Sequence, residues 1–379
     1  MRRETDMKVA IAIDSFKGSL GSMEAGNAAA EGVRRAIPEA ECMVRPLADG
    51  GEGTVEALAP GLGGTLCEVE VTGPAGKPVV AVYGIVGETA IMEMAQAAGI
   101  TLISGVDRNP LHTTTRGVGE MIVDAIDRGC RRFVVGIGGS ATNDAGAGML
   151  QSLGFGLFDA AGKSIAPGGA ALSSVSRIVR DSAHPALKEC VFRIACDVAN
   201  PLCGKNGASA VYGPQKGATP QMVVELDAAL AHFAAVSGGD KDWPGSGAAG
   251  GLGFAFREFL GAELKSGAEI VLEETRFEDA VKDADLVITG EGRLDSQTVM
   301  GKAPIGVARL AKKHGKKVLA FSGCVTRDAG IVNRHGIDAF FPILREVMTL
   351  EEALDKGNAA ANLAATTEQA VRCFLLGAH

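Results

Sequence analysis

The chain has 379 residues, 46% of them apolar and 22% charged, with 37 basic against 45 acidic residues and a net charge of −8. That length exceeds one ordinary core and implies two or three domains. The composition excludes a disordered tail or a coiled-coil rod, and the acidic balance argues against nucleic acid as the main partner. No apolar run reaches the ~18 residues of a membrane helix, so no membrane partner is expected.

The start, residues 1–6 (MRRETD), is polar, lacks the apolar stretch of a secretion signal, and reads as an upstream start or a loose terminus before Met7. Short apolar runs then alternate with helix-like runs, the pattern of buried parallel strands with crossover helices. The first strand is expected at 9–14 (VAIAID), followed by a helix at 22–36 with Ser22 as N-cap and Pro38 closing it. Residues 67–86 alternate apolar and polar around GPAGKP and predict an antiparallel hairpin. Strands follow at 90–95 (AIMEMA) and 133–138 (FVVGIG), with a helix at 117–127 between them. A second hairpin is expected at 154–165, a strand at 191–197 (VFRIACD) and a breaker-rich loop at 237–253. The last strands are expected at 285–289, 318–322 and 339–343, with helices at 304–314 and 350–376.

This order predicts an α/β fold of two domains. Residues 1–62 and 283–379 would share one mostly parallel sheet. Residues 63–282 would form an inserted α/β domain, with a ligand cleft between the two as the expected active site.

The polar chemistry sits after the apolar runs, where open α/β sheets bind ligands. Asp14 leads into Ser15-Phe16-Lys17-Gly18. The segment Asp49-Gly50-Gly51-Glu52-Gly53-Thr54 follows another apolar run. Next come Gly138-Gly139-Ser140-Ala141-Thr142-Asn143-Asp144, then Asp197 and Asn200, then Gly290-Glu291-Gly292-Arg293-Leu294-Asp295. Glycines are 52 of the residues and cluster at these places, so they read as turns and ligand loops. The 138–144 segment is the most phosphate-like, because glycines let backbone N–H groups approach an anion.

Other motifs carry less. Gly162-Lys163-Ser164 lacks the glycine five residues earlier that a phosphate-binding P-loop needs; Leu157 stands there. Gly245-Ser246-Gly247-Ala248-Ala249-Gly250 matches a dinucleotide fingerprint, but no strand precedes it. It reads instead as a helix start packed on a neighbour or a loop wrapping a ligand. The six histidines form no HxH or HxxxH pair, which argues against catalytic zinc. GxSxG and the protein-kinase signatures are absent. The eight cysteines form no CxxC pair; reduced, mostly buried thiols are expected, pointing to the cytoplasm. Carboxylates, lysines and glycine loops remain. They suit Mg²⁺ and phosphates, the parts of a phosphoryl-transfer site.

Segments 14–20, 49–54, 138–144, 213–217 (GPQKG) and 289–298 (TGEGRLDSQT), continuing to 301–304 (GKAP), together resemble the bacterial glycerate kinase family of type I. The resemblance runs from about Met7 to the end of the chain. It implies ATP-dependent phosphorylation of (R)-glycerate, leaning to 2-phosphoglycerate over 3-phosphoglycerate, with Mg²⁺ required and a flavodoxin-like inserted domain. Position 145 is Ala where the family leads one to expect Gly, position 21 is Gly where Ser is common, and position 116 is Arg where Tyr is common.

With that resemblance, Gly138, Gly139, Ser140, Thr142, Asn143 and Asp144 are assigned to the ATP phosphates, with Ser140 and Thr142 adding hydroxyls. Lys216 and Lys302 would neutralise the transferring phosphoryl group. Asp197 is the first candidate for the base and Asp14 the second. Lys17 or Arg293 would meet the glycerate carboxylate, and Asp49, Glu52 and Asn200 would line the substrate. Glu291 and Asp295 would hold Mg²⁺. Two other classes stay in play, a nicotinamide-dependent oxidoreductase and a non-catalytic hydroxy-acid sensor. A homo-oligomer is left open.

Overall fold

The computed structural model describes residues 7–376, so the reading of residues 1–6 lies outside the described residues. In chain order the strands are β1 (Lys8–Ile13), β2 (Glu41–Val44), β3 (Thr65–Thr72), β4 (Pro78–Val86), β5 (Thr89–Glu93), β6 (Arg132–Gly136), β7 (Gly156–Phe158), β8 (Arg177–Val179), β9 (Val191–Ala195), β10 (Glu263–Lys265), β11 (Leu286–Leu294), β12 (Lys317–Val325) and β13 (Ala339–Pro342). The fold is mixed α/β with mostly parallel sheets, and the chain divides into two compact units.

The first unit holds the described residues through Asp49, Pro60–Leu62, and the described residues from Ala268 onward. Its five strands run β13-β12-β11-β1-β2, all parallel. Counted within the unit this is the order 2-1-3-4-5, with its reversal between β1 and β11. The flavodoxin order therefore belongs to this discontinuous unit and not to the inserted one. β1 and β11 are central and covered on both faces, which is why VAIAI and LVI are unbroken apolar runs; Val9 to Ile13 and Leu286 to Ile288 are fully buried. Each large side chain so buried contributes about 1.5–3 kcal/mol.

The helix Ser22–Ala36 forms where expected, but Gly21 takes the N-cap. The Ser22 hydroxyl instead donates to the Ile13 carbonyl (2.6 Å) and accepts from the Leu47 N–H (2.8 Å). It thereby pins the ends of the two segments that lead into Asp14 and Asp49. Residues 290–294 are not the expected loop. They prolong β11, because pairing with β12 continues to Leu294 opposite Val325. The helix expected at 350–376 is broken at Asp355 into Leu350–Leu354 and Lys356–Leu376.

The second unit is Gly50–Ala59 and Gly63–Gly267. Its six strands lie in the order β10-β9-β6-β5-β4-β3, parallel from β10 to β5 and antiparallel across β4 and β3. The hairpin expected at 67–86 is β3–β4. The one expected at 154–165 is not formed as a ladder. Phe158 makes a single bridge to Ser164, and β7 pairs with β8. The Asp159 carboxylate accepts from the N–H groups of Ala161 and Lys163, which closes a tight turn there. The expected 237–253 loop extends through Ala249, Gly250 and Gly251, which are left-handed at φ +52°, +70° and +92°, and the regular helix that runs to Leu260 begins only after them.

The unit boundaries also differ from expectation. Residues 268–282 go with the first unit, where Phe277, Ala280 and Val281 are buried and their helix packs on β1. The motif 49–54 is divided, with Asp49 in the first unit and Gly50–Thr54 in the second. All eight cysteines are free, but only Cys130 is buried, and Cys324 and Cys373 are exposed. Among the described residues no helix is long and apolar enough to cross a membrane.

Candidate active site

In the first unit the strand order reverses between β1 and β11, where open α/β sheets bind ligands beyond the carboxyl ends of the strands. The carboxylates collect there. Asp14 follows β1 directly; its N–H donates to the Gly290 carbonyl (2.9 Å) and its Oδ1 accepts from the Ser15 N–H (2.7 Å). Burial is the main cause that pushes the Asp14 carboxyl up to about 7, and the charge of Asp49 adds to it. The Ser15 N–H opposes the rise, Glu291 adds to it again, and Lys17 opposes it. Glu291 is buried on β11. Its Oε1 accepts from the Thr298 hydroxyl (2.6 Å) and its Oε2 faces Lys302 Nζ at 3.6 Å. Burial raises its pKa despite Thr298 and Lys302, with Asp295 adding repulsion.

The structure thus brings Asp14, Asp49 and Glu291 into one electrostatic cluster with Lys17 and Lys302 at its edge. Asp295 belongs to the edge of the cluster, where its charge acts on Glu291; its Oδ1 accepts from the Gln297 N–H (2.9 Å) and its Oδ2 lies 3.3 Å from Arg293 Nε. Arg293 is 66% exposed on its side chain, and Lys17 is exposed. Thr298, which holds Glu291, was legible only as one polar residue in a longer motif.

In the second unit β6 ends at Gly136, and Gly138, Gly139 and Ser140 follow. Gly138 and Gly139 are exposed, and Gly139 is left-handed at φ +71°. Ile100 N–H donates to the Gly139 carbonyl (2.8 Å) and Ala141 N–H to the Ala98 carbonyl (2.9 Å), which anchors the turn. The N–H groups of Gly138, Gly139 and Ser140 have no acceptor among the described residues. A Cβ on Gly138 would meet nothing nearer than 4.0 Å. This is an open backbone cradle of the kind that takes an anion.

Past Ser140 the segment goes inside. Thr142, Asn143 and Asp144 are fully buried, so they build the cradle and do not line it. The Asp144 carboxylate accepts from the Thr115 N–H (2.8 Å) and hydroxyl (2.9 Å) and from the N–H groups of Gly146 and Gly148 (both 3.2 Å). It ties together the starts of two helices, Arg116–Asp127 and Ala147–Ser152. Burial raises its pKa against those hydrogen bonds. Asn143 Nδ2 donates to Ser209 Oγ (2.9 Å). Lys216 is buried too, at 1% exposure; its Nζ donates to Ser140 Oγ and to the Thr142 carbonyl, both at 2.7 Å.

The fingerprint-like glycines serve this loop. A Cβ on Gly250 would lie 2.0 Å from the Thr142 carbonyl oxygen, and Ala145 N–H donates to the Gly250 carbonyl (3.0 Å). Ala145 itself is left-handed at φ +50°, the conformation for which the expected glycine is suited. No strand directly precedes Gly245, and the segment is a left-handed turn at Ala249–Gly251 packed against residues 142–145, ahead of the helix that runs to Leu260.

The turn 50–53 crosses the carboxyl ends of β6 and β9. A Cβ on Gly136 would lie 2.3 Å from the Gly50 carbonyl oxygen, and one on Gly50 would lie 2.5 Å from Ala195 Cβ. Asp197, just past β9, is exposed, and its Oδ1 accepts from the Gly267 N–H (3.2 Å). Glu52 is exposed. Asn200 does not face a substrate: Nδ2 donates to the Asn206 carbonyl (2.8 Å) and Oδ1 accepts from the Tyr212 hydroxyl (2.7 Å), which fixes its own loop. Arg116 pairs with Glu120 one turn along its helix (2.9 Å). Sequence reasoning passed over Glu93, the lone acid of AIMEMA. Its buried carboxylate accepts from the Val55 N–H (2.9 Å) and from Gly53 and Thr54, and so caps the helix Thr54–Gly61 beside the 50–53 turn.

Carboxylates gathered at the switch point of one parallel sheet, and a glycine cradle with unpaired N–H groups on the other, define an α/β enzyme. The profile of the glycerate kinase family matches residues 9–375, and the chain belongs to that family. It is similar to a glycerate 2-kinase of Escherichia coli (strain K12), 50% identical over 95% of this chain and 98% of that one. A glycerate kinase of Haemophilus influenzae is 48% identical over 98% of this chain and all of its own length. A glycerate kinase 2 candidate from Salmonella typhimurium LT2, known as a crystal structure, superposes with a TM-score of 0.89 at 46% identity, covering 98% of this chain and 99% of that one. The chain is therefore a kinase, and the oxidoreductase and non-catalytic sensor readings are set aside.

Proposed function

We propose that this protein is a type I glycerate kinase that transfers the γ-phosphoryl group of ATP to the 2-hydroxyl of (R)-glycerate, acting in the cytoplasm with Mg²⁺. The observation that carries the reading is the run of unpaired N–H groups at Gly138, Gly139 and Ser140 in a chain of this family. Phosphoryl transfer needs little covalent help from the protein; it needs the phosphates held, their charge offset and the acceptor hydroxyl relieved of its proton. The cradle supplies backbone donors, and Ser140 adds a hydroxyl. Lys302, beside Glu291, is the remaining lysine for the transferring group, since Lys216 is buried. Asp197, exposed just past β9, is assigned the role of base. Lys17 and Arg293 are exposed cations suited to the small carboxylate of the acceptor, with Asp49 and Glu52 as hydroxyl acceptors.

The donors fit Mg²⁺ in kind. Asp14 and Glu291 offer only oxygen, and a carboxyl held up by burial and then by neighbouring carboxylates is stabilised in its charged form by a cation. Among the described residues no group of three or more His, Cys, Asp or Glu side chains is arranged to hold a metal ion. Asp14, of whose oxygens only Oδ1 has a hydrogen-bond partner among the described residues, would hold Mg²⁺ first, with Glu291 and Asp295 beside it, their oxygens already facing Thr298 and Lys302, and Gln297 and Arg293. When bound, the ion offsets phosphate charge.

Incubation with ATP, Mg²⁺ and (R)-glycerate, followed by ³¹P NMR, tests the reading. It expects the resonance of 2-phosphoglycerate. A spectrum of 3-phosphoglycerate overturns the regiochemistry alone, and unchanged ATP overturns the activity.

A further inference from the structure

Lys216 has an ammonium group wholly inside the protein, engaged by two oxygens of the phosphate-like loop. A lysine so placed is uncommon, because removing its charge from water is costly unless acceptors replace the solvent. Both acceptors here belong to one short segment. Ser140 Oγ and the Thr142 carbonyl are bridged by Nζ at 2.7 Å each, so the lysine clamps the segment on either side of Ala141. The consequence for Ser140 is directional. Its oxygen already accepts from Lys216, and its own proton has no acceptor among the described residues. Ser140 stands at the inner end of the cradle and retains 9% exposure. The adjoining N–H groups of Gly138, Gly139 and Ser140 are unpaired as well.

From this we infer that Lys216 is a positioning residue. It never touches the nucleotide, and by donating to Ser140 Oγ it turns and polarises that hydroxyl so that its proton completes the anion cradle begun by the three backbone N–H groups. The lysine's positive charge thus reaches a bound phosphate through one intervening hydroxyl. This departs from the direct neutralising role that sequence position suggested for Lys216. The inference rests on the phosphate-binding reading of the loop given above.

The electrostatics agree. Burial drives the Lys216 pKa down to about 7, and Asp144, on the same loop, is the charged group that pulls it back up. Asp144 is raised by its own burial and is saturated by Thr115, Gly146 and Gly148, so it does not bond the ammonium. A phosphate arriving beyond Ser140 favours the charged form of the lysine. Binding should therefore draw a proton from solution at pH 7.5 and weaken as pH rises through 7 and above.

Titration calorimetry with the non-hydrolysable β,γ-imido analogue of ATP and Mg²⁺, repeated in buffers of different ionisation enthalpy, tests this. Lys216→Met should weaken binding by about tenfold or more, flatten its pH dependence and abolish the proton uptake, and Ser140→Ala should do the same. The double variant should be no weaker than the worse single one, because one relay is being broken twice. Lys216→Arg should recover part of the affinity. Should Lys216→Met lose its melting transition, Ser140→Ala carries the test by itself, since losing neither affinity nor proton uptake there overturns the inference. Wild-type affinity in Lys216→Met, or additive losses in the double variant, also overturn it. If the wild type fails to phosphorylate glycerate while these binding effects appear, the glycerate reading falls and the relay stands.

Discussion

The two units solve opposite electrostatic problems with similar architecture. The first is an all-parallel sheet in the order 2-1-3-4-5 whose reversal point gathers Asp14, Asp49 and Glu291. The second is a sheet in simple sequence order with an antiparallel edge, and beyond β6 it presents N–H groups with no acceptors. One concentrates negative charge, and burial together with that charge raises the pKa of Asp14 and Glu291; the other concentrates backbone donors and buries its carboxylate, Asp144, as a structural tie. The difference shows that a conspicuous acid in a motif can belong to either kind of site. Asp14 and Asp144 look alike in sequence, yet only the first is left with solvent access and like-charged neighbours.

Substitutions can break that contrast, beginning with chemistry. Asp197→Asn should lower turnover by about 10²-fold with little change in melting temperature, if Asp197 takes the acceptor's proton. Near-normal steady-state turnover would transfer the role to the acidic unit, with Asp14 next. Packing comes second. Gly250→Ala forces a Cβ to 2.0 Å from the Thr142 carbonyl at φ +70° and should cost about 3 kcal/mol in urea denaturation. Gly53→Ala is also left-handed but meets nothing within 4 Å and should cost only about 1 kcal/mol. Equal losses would mean that the 142–145 segment yields easily.

The acidic cluster offers a pH signature. The folded-state pKa of Asp14, about 7, is above its unfolded value near 3.8, so the native state binds more protons between the two. Its contribution to stability is full below pH 4 and is lost as pH rises through 7. Asp14→Asn should leave metal-free stability at pH 4 nearly unchanged and raise it by about 1–3 kcal/mol at pH 8. A constant difference across that range, measured by urea denaturation, would show that burial and the neighbouring charges do not raise the Asp14 pKa. The smallest effect is expected at Ala145. Ala145→Gly removes left-handed strain of about 1 kcal/mol and adds a similar loss of chain entropy, so denaturation midpoints should move by less than about 1 kcal/mol.

The sequence by itself determined the alternation of buried strands and helices, the β3–β4 hairpin and the segments that carry the polar residues. Those signals are local: apolar periodicity, turn residues and glycine at strand ends act through nearest neighbours. Only the tertiary structure decided which strand lies beside which, and hence that the 2-1-3-4-5 order belongs to the discontinuous unit. It also decided that β11 continues through Glu291, because pairing with β12 outlasts the apolar run. Which side of a loop faces water was likewise illegible. Thr142, Asn143, Asp144 and Lys216 are as polar as Ser140, and their burial depends on partners dozens of residues away, at Thr115 and Ser209. Desolvation and hydrogen-bond satisfaction are properties of the assembled surroundings, so a polar residue's identity fixes what it can do, and the fold fixes what it does.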